Sequence, residues 1–321
     1  MLAPLFRRSE TVIALILIGV MIVIGLINPA FWSLDNLFSL VRANVIIGIM
    51  ALSVLMVMIS GGIDVSFPAF AAAAMYLTVI AMNSVGYQGV VLPFIGATVI
   101  GLLCGLVNAF FIHTFRMIPL IVTLGTASVV RGLLLGLVGT SIINIDRMPK
   151  SLIGFGRTTI DIGGSALTAM VFVYLGLAVA VWLFLTRTMA GRGIYAYGGD
   201  AESAKRVGFN TRRTVYLVYG LAGALAGFAG LLQAAMIWLA NPRGFVGFEL
   251  DVIAAVVLGG ASIFGGRGSV LGTLLGVFML VLIKNSLIIM RVDNTWQGVV
   301  VGAVIVFATA LTAWRDRNKL A

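Results

Sequence analysis

Few residues of this 321-residue chain are of a type that performs covalent chemistry. Cys104 and His113 are the only cysteine and the only histidine, and they are not accompanied by a carboxylate cluster. A metal or hydrolytic centre needs several such ligands together, and a nucleotide site of the G-x-x-x-x-G-K-[ST] kind is absent. The sequence therefore predicts no catalytic residues, no metal and no cofactor. Its polar residues are suited to recognition by charge and by hydrogen bonding.

The largest group of such residues is the polar segment 187–213, which carries six basic side chains and only two acidic ones. Within it, Asp200 is placed to cap a short helix, Glu202 falls in the first turn, and Gly208 can end it. Lys205 and Arg206 lie near the last turn, so the charge order suits the helix dipole. The segment predicts a short, exposed helix that a partner could push, and a merely solvated loop is the alternative.

Neutral polar residues inside apolar stretches form a second group. Such groups suit a hydroxylated solute, although they could equally make hydrogen bonds between helices. As candidates for a translocation path we select Asn44, Ser53, Asn108, Thr123, Ser128 and Asn285.

Paired glycines form a third group. Gly61-Gly62 and Gly259-Gly260 permit tight breaks after apolar runs, and Asp64 with Ser66 can cap the helix that follows the first pair. We interpret both pairs, together with Asp64, as candidate gate or hinge residues, with helix capping alone as the other interpretation.

The elements that must position these residues are membrane helices. Hydrophobic residues make up 61% of the chain and charged residues 10%, whereas a soluble domain has about 25% charged residues. The apolar runs are long enough for helices that cross about 30 Å of hydrocarbon. We predict an all-α polytopic bundle forming one domain, 1–321, with about ten spans at Val12 to Ile27, 38–59, 65–82, 90–113, 118–138, 165–186, 214–239, 250–264, 269–290 and 294–313.

The distribution of charge predicts the topology. With the N-terminus inside, thirteen of the 21 lysines and arginines fall in inside segments, five fall outside and three lie in spans. This bias places both termini and the segment 187–213 in the cytoplasm, and the loop 140–164 in the periplasm. It also explains the net charge of +10 without a nucleic acid partner. The segment 250–264 is short and ends in glycines, so a half-helix or a re-entrant segment is the alternative interpretation.

Several motifs, in their order and spacing, resemble the permease subunits of ribose-type simple-sugar ABC importers. The wider superfamily of these subunits includes branched-chain amino-acid permeases. The resemblance covers roughly residues 40 to 312. It rests on GGIDVS, GLVN, PLIVTLG, GRGIYAYGGDAESAKRVGFNTRR, GFELDVIAAVVLGGAS and GGRGSVLGTLLG.

The resemblance implies a type II-like permease that pairs with a second copy or a paralogue in the bacterial inner membrane. A periplasmic solute-binding protein would deliver a simple sugar, and a separate ABC ATPase would hydrolyse ATP, so the chain itself is expected not to be an enzyme. An autoinducer-2 or branched-chain amino-acid importer, a stand-alone secondary transporter and a non-transporting scaffold remain alternatives. The implied ATPase-coupling residues are Gly199, Asp200, Glu202, Ala204, Lys205, Arg206 and Gly208.

Overall fold

The computed structural model describes residues 9–290 together with 293, 296, 298, 299, 302, 303 and 306. Its regular elements, in chain order, are α1 Ser9–Ile27, α2 Leu34–Ile59, α3 Phe67–Val85, α4 Val91–Thr114, α5 Pro119–Leu133, α6 Lys150–Gly156, β1 Thr159–Ile162, β2 Ser165–Thr168, α7 Met170–Arg187, α8 Met189–Gly199, α9 Ala201–Arg206, α10 Thr211–Ile237, α11 Phe248–Leu258 and α12 Val270–Ile289. A π-helical turn, Leu134–Val138, extends α5.

Seven of the described helices are long and apolar enough to cross a membrane: α2, α3, α4, α5 with its π-helical extension, α7, α10 and α12. The apolar part of α1, Ile13–Ile27, is shorter. The prediction of an all-α polytopic bundle is confirmed. The predicted tenth span, 294–313, falls almost entirely outside the described residues.

Two predicted spans differ from the structure. The segment 250–264 contains only the 11-residue helix α11, which at 1.5 Å per residue is about 16 Å long and too short to cross the hydrocarbon. It is a half-helix followed by a loop. The span predicted at 165–186 begins too early, because residues 165–168 form β2 and pair with β1 in an antiparallel hairpin. Hydropathy alone did not separate this four-residue strand from the apolar helix that follows it.

Helix α10 lies at the centre of the bundle and packs against α4, α3 and α2. Its contact with α4 is antiparallel and is made through glycines. A Cβ on Gly101 would overlap the carbonyl oxygen of Gly223, and a Cβ on Gly227 would overlap that of Ala97. Small residues at four-residue spacing allow helix backbones to approach closely where lipid removes the hydrophobic driving force. The same device joins α11 to α12, where Gly276 lies against the Ala255 carbonyl.

The bundle has two ends with different contents. One end, which we call the basic end, carries the segment 187–213, the C-termini of α2 and α4, and the loop between α11 and α12. The start of α1 lies at the same end, because Ser269, which directly follows this loop, donates a hydrogen bond to Glu10. The opposite end, which we call the hairpin end, carries residues 140–168. Among the described residues, the segments that the charge count assigns to the inside therefore lie at one end of the bundle.

Candidate functional site

At the basic end, three helix starts are capped by side chains of the polar segment. Thr188 accepts a hydrogen bond from the Gly191 amide at 3.0 Å and begins α8. Asp200 accepts from the Ser203 amide and begins α9. Asn210 accepts from the amide of Arg213 at 2.9 Å and begins α10. Each cap satisfies an amide that would otherwise lack an intrahelical partner, so the sequence itself specifies where these short helices begin.

Helix α9 has the charge order that its sequence predicts. Glu202 lies in its first turn, and Lys205 and Arg206 lie in its last. The hydrogen bonds at Asp200, first those from Ser203, hold the pKa of this carboxyl below its usual value. The side chain therefore stays ionised, and it caps the helix, near neutral pH.

The end of α9 is a Schellman turn. Gly208 has φ of +95° and donates its amide to the Lys205 carbonyl at 3.1 Å, while the Phe209 amide reaches the Ala204 carbonyl at 3.0 Å. Glycine takes this left-handed conformation without the penalty that a Cβ imposes. Ala204 is buried, while Val207 beside the turn is 74% exposed. One face of this short unit is thus anchored and the other is open.

Helix α8 attaches the unit to the bundle through glycine. A Cβ on Gly198 would overlap the carbonyl oxygen of Ile59 at the end of α2, and it would lie 2.9 Å from the Gly266 amide nitrogen. That amide donates to the same Ile59 carbonyl at 2.8 Å. The structure thus brings the end of α2, the end of α8 and the α11–α12 loop together within van der Waals contact.

The candidate hinge glycines form helix ends of the same type. Gly61 has φ of +80° and Gly260 has φ of +85°. The amides of Gly61 and Gly62 bond to the Met58 and Val57 carbonyls, and those of Gly260 and Ala261 bond to the Val257 and Val256 carbonyls. Both pairs therefore end their helices by Schellman turns.

The surroundings of the two pairs differ. A Cβ on Gly62 would overlap the hydroxyl of Tyr219, whereas one on Gly259 would overlap the backbone carbonyl of Gly272 in α12. The first pair is set against a side chain of α10, and the second forms part of the crossing between α11 and α12.

Asp64 is buried in the loop that follows the first glycine pair. Its carboxylate accepts hydrogen bonds from the amide of Ser66, at 2.7 Å, and from the hydroxyl of the same residue. Ser66 makes no side-chain cap on α3, so the prediction that it caps this helix is wrong. Its hydroxyl donates to Asp64 and accepts from the Asn108 amide group at 2.8 Å.

Two path candidates hold this loop in place. Asn108 also accepts from the hydroxyl of Thr126 at 2.7 Å. The Thr123 hydroxyl lies 3.3 Å from both the Ile63 carbonyl and the Val65 amide. Asn108 and Thr123 are fully buried, and their side chains form hydrogen bonds with residues of this loop. Asn108 on α4 and Thr123 on α5 thus hold this loop by hydrogen bonds, and their assignment to the translocation path stays a prediction.

The other four path candidates divide by exposure. Asn44 and Ser53 are buried in α2 and donate to the Leu40 and Met50 carbonyls of their own helix, both at 2.7 Å. Ser128 is exposed on α5. Asn285 has a buried side-chain oxygen without a hydrogen-bond partner among the described residues. Ser128 and Asn285 thus remain the candidates with capacity for a further contact.

Two of the three basic residues in the predicted spans, Arg42 and Lys284, have protein partners. The guanidinium of Arg42 donates to the Met236 carbonyl at 2.6 Å. The ammonium of Lys284 forms an ion pair with Asp251 in the first turn of α11. Sequence reasoning treated these residues one at a time, and nothing in their spacing identified the pairs.

Comparisons with known proteins decide the family. The family model described as "Branched-chain amino acid transport system / permease component" matches residues 36–309. The chain belongs to this family. It is therefore a multi-pass membrane protein and a transport component rather than an enzyme, and the resemblance found in its motifs is confirmed.

Curated relatives match almost the whole chain. The galactose/methyl galactoside import permease MglC of Escherichia coli K12 is 32% identical, over 97% of this chain and 96% of the relative. The ribose import permease RbsC of Bacillus subtilis 168 is 35% identical, over 94% and 90%. The fructose import permease FrcC of Rhizobium meliloti is 29% identical, over 94% and 83%. No solved structure matches the chain.

Sequence reasoning missed three residues that organise the basic end: Thr126, Tyr195 and Tyr219. Thr126 is 18 residues from Asn108 in the chain and lies on a different helix, so their contact depends on tertiary packing. The Tyr195 hydroxyl bonds to a carbonyl 73 residues away. Residues of these types are ordinary in apolar helices, and no local pattern singles them out.

Proposed function

We propose that the chain is the permease of an ATP-driven, binding-protein-dependent importer of a simple sugar of the pentose or hexose class. Three relatives that match almost its full length are import permeases for galactose, ribose and fructose. The absence of a phosphate-binding motif from the sequence agrees with ATP hydrolysis in a separate ABC ATPase. The chain would then alternate between outward and inward access when that ATPase moves it.

The basic end faces the cytoplasm of a bacterial inner membrane in this proposal, with both termini on that side. The support is the excess of lysine and arginine in the segments gathered at that end. Residues 140–168 then lie in the periplasm, where a solute-binding protein can reach them. At the hairpin end, Asp146, Arg147 and Lys150 border an open groove of about 720 Å³.

The ATPase docks on α9 in this proposal. The observation that carries it is the construction of this helix, which is capped by Asp200, closed by Gly208 and anchored by the buried Ala204. Its outward side presents Glu202, Lys205 and Arg206, together with the apolar Val207. A short unit with fixed ends and an exposed mixed surface can receive a push from a partner without unfolding.

A second permease, identical or paralogous, completes the path. Helix α5 with its extension is the least buried of the seven described spans. Cβ atoms placed on its Gly125, Gly132 and Gly136 would meet no atom of the described residues within 4 Å, and Ser128 lies on the same face. Such a face allows another helix to approach closely. We infer that Ser128 contacts the solute or the second permease.

A stand-alone secondary transporter is the competing function. Such a protein would move solute in liposomes without an ATPase, driven by an ion gradient, and it would more often carry acidic or histidine residues at mid-membrane. In the described part of the chain, Asp251 pairs with Lys284 and holds α11 against α12, which favours a structural role for this acid. Within the preferred class, autoinducer-2 or a branched-chain amino acid is the alternative substrate.

The test is uptake of radiolabelled ribose, galactose and fructose by cells that express the permease with its ATPase and solute-binding protein. We expect Glu202→Lys and Gly208→Val to abolish uptake and co-purification of the ATPase. Membrane insertion should be unchanged, and Lys150→Ala at the hairpin end should keep ATPase association. Normal uptake in both α9 variants would overturn the docking proposal, and uptake without any ATPase would favour the secondary transporter.

A further inference from the structure

Helix α8 is held by more than its glycine contact with α2. The hydroxyl of Tyr195 donates a hydrogen bond to the Gly268 carbonyl at 2.9 Å. Ile194, the preceding residue, is fully buried. The ring of Tyr195 is itself partly buried against the core. Tyr195 therefore connects the helix that leads into α9 with the loop between α11 and α12.

That loop is flexible by composition but fixed by its contacts. Gly265, Gly266 and Gly268 all have positive φ, so glycine provides conformations that other residues rarely adopt. One side of the loop is held by the hydrogen bond from Gly266 to the Ile59 carbonyl, and the other by the bond from Tyr195. Ser269, directly after Gly268, caps α12 by accepting from the Gly272 amide at 3.0 Å. A displacement of Gly268 is thus passed directly to the start of α12.

The two contacts of α8 differ in the force that they can transmit. The contact between Gly198 and the Ile59 carbonyl is one of close approach, so it resists compression and offers little resistance to separation. A hydrogen bond resists separation as well, because breaking it leaves the partly buried Gly268 carbonyl without this donor, at a cost in free energy. The bond from Tyr195 therefore makes the loop follow α8 in both directions.

We propose that Tyr195 is a positioning residue that transmits movement of the α8–α9 unit to α11 and α12. This inference rests on the proposed function, since it requires α9 to be the docking site of an ATPase. The movement is carried farther because Lys284 pairs with Asp251 and so fixes α12 to the start of α11. Loss of the Tyr195 hydroxyl leaves the docking surface intact and weakens its connection with the half-helix.

The test compares Tyr195→Phe with Tyr197→Phe in proteoliposomes that contain the permease, its ATPase and its solute-binding protein. Tyr197 lies two residues along α8, and its hydroxyl has no hydrogen bond within the described residues. For Tyr195→Phe we expect unchanged ATPase association. The amount of sugar transported per ATP hydrolysed should fall about 3- to 10-fold, which is the change in an equilibrium that the loss of one hydrogen bond causes. Tyr197→Phe should keep the wild-type ratio.

A purely structural role for Tyr195 would lower thermal stability and leave the ratio of transport to hydrolysis unchanged, and this result would overturn the inference. An equal fall in both variants would overturn it as well. Failure of the proposed function is seen separately, because the wild-type permease would then show neither ATPase association nor ATP-dependent uptake.

Discussion

The two ends of the bundle carry polar segments of similar length that are built in opposite ways. At the hairpin end, residues 140–168 are tied to neighbouring elements by hydrogen bonds. Tyr76 donates to the Ser141 carbonyl at 2.7 Å, Asn83 donates to the Arg147 carbonyl at 3.0 Å, and Ile143 forms a β-bridge with Ala240. At the basic end, residues 187–213 mainly satisfy their own helix ends.

This difference indicates which segment can move as a unit. A segment bonded at several points to separate helices moves only when those helices move. The α8–α9 unit carries its own caps. Besides its packing against α7 and α10, it contacts α2 through Gly198 and the α11–α12 loop through Tyr195. We therefore interpret the hairpin end as a rigid platform and the basic end as a lever.

The largest expected effect is at the junction of the lever with α2. Gly198→Ala places a methyl group on the Ile59 carbonyl, and overpacking against backbone should lower the free energy of unfolding by about 3 kcal/mol. Gly199→Ala is the matched control, because a Cβ there meets no atom within 4 Å, and its effect should stay within about 0.5 kcal/mol. Thermal unfolding in detergent measures both. Equal stability of the two variants would contradict the observed junction.

A smaller effect is expected on the platform. Tyr76→Phe removes the donor to the Ser141 carbonyl, which should lower the free energy of unfolding by about 1 kcal/mol. Hydrogen exchange should become faster in residues 140–148, while sugar transported per ATP should remain that of the wild type. A fall in this ratio would show that the platform takes part in coupling, and the contrast between the ends would then be lost.

The smallest effect is expected at the cap of α9. Asp200→Ala should speed amide exchange in residues 201–206, whereas Asp200→Asn, which retains an accepting oxygen, should have little effect. The pKa of Asp200 is lowered by its hydrogen bonds, so the charged cap contributes fully above the usual carboxyl pKa. The part of its contribution that depends on the negative charge is lost as the pH falls through the lowered value. Protection of residues 201–206, measured against the intrinsic exchange rate, that is unchanged in Asp200→Ala would exclude Asp200 as the cap.

The sequence predicted those features that depend on local chemistry. Apolar runs predicted the helices, and Asp200 and Gly208 predicted the two ends of α9, because capping involves residues close together in the chain. The strand β2 was missed because it has only four residues and is followed almost immediately by the apolar helix α7. The role of Ser66 was missed because one of its two partners, Asn108, lies 42 residues away. The bond from Tyr195 to Gly268 was missed for the same reason.

The central claim is that α9 meets a separate ATPase, and site-directed cross-linking tests it most directly. In a Cys104→Ala background, Val207→Cys places a single reactive thiol at the exposed end of α9, and Ile160→Cys places one on the hairpin, where residue 160 is 43% exposed. With a thiol-directed photo-cross-linker in intact membranes, we predict a covalent adduct with the ATPase from position 207 and none from position 160. No adduct from position 207, or equal adducts from both, would contradict the account.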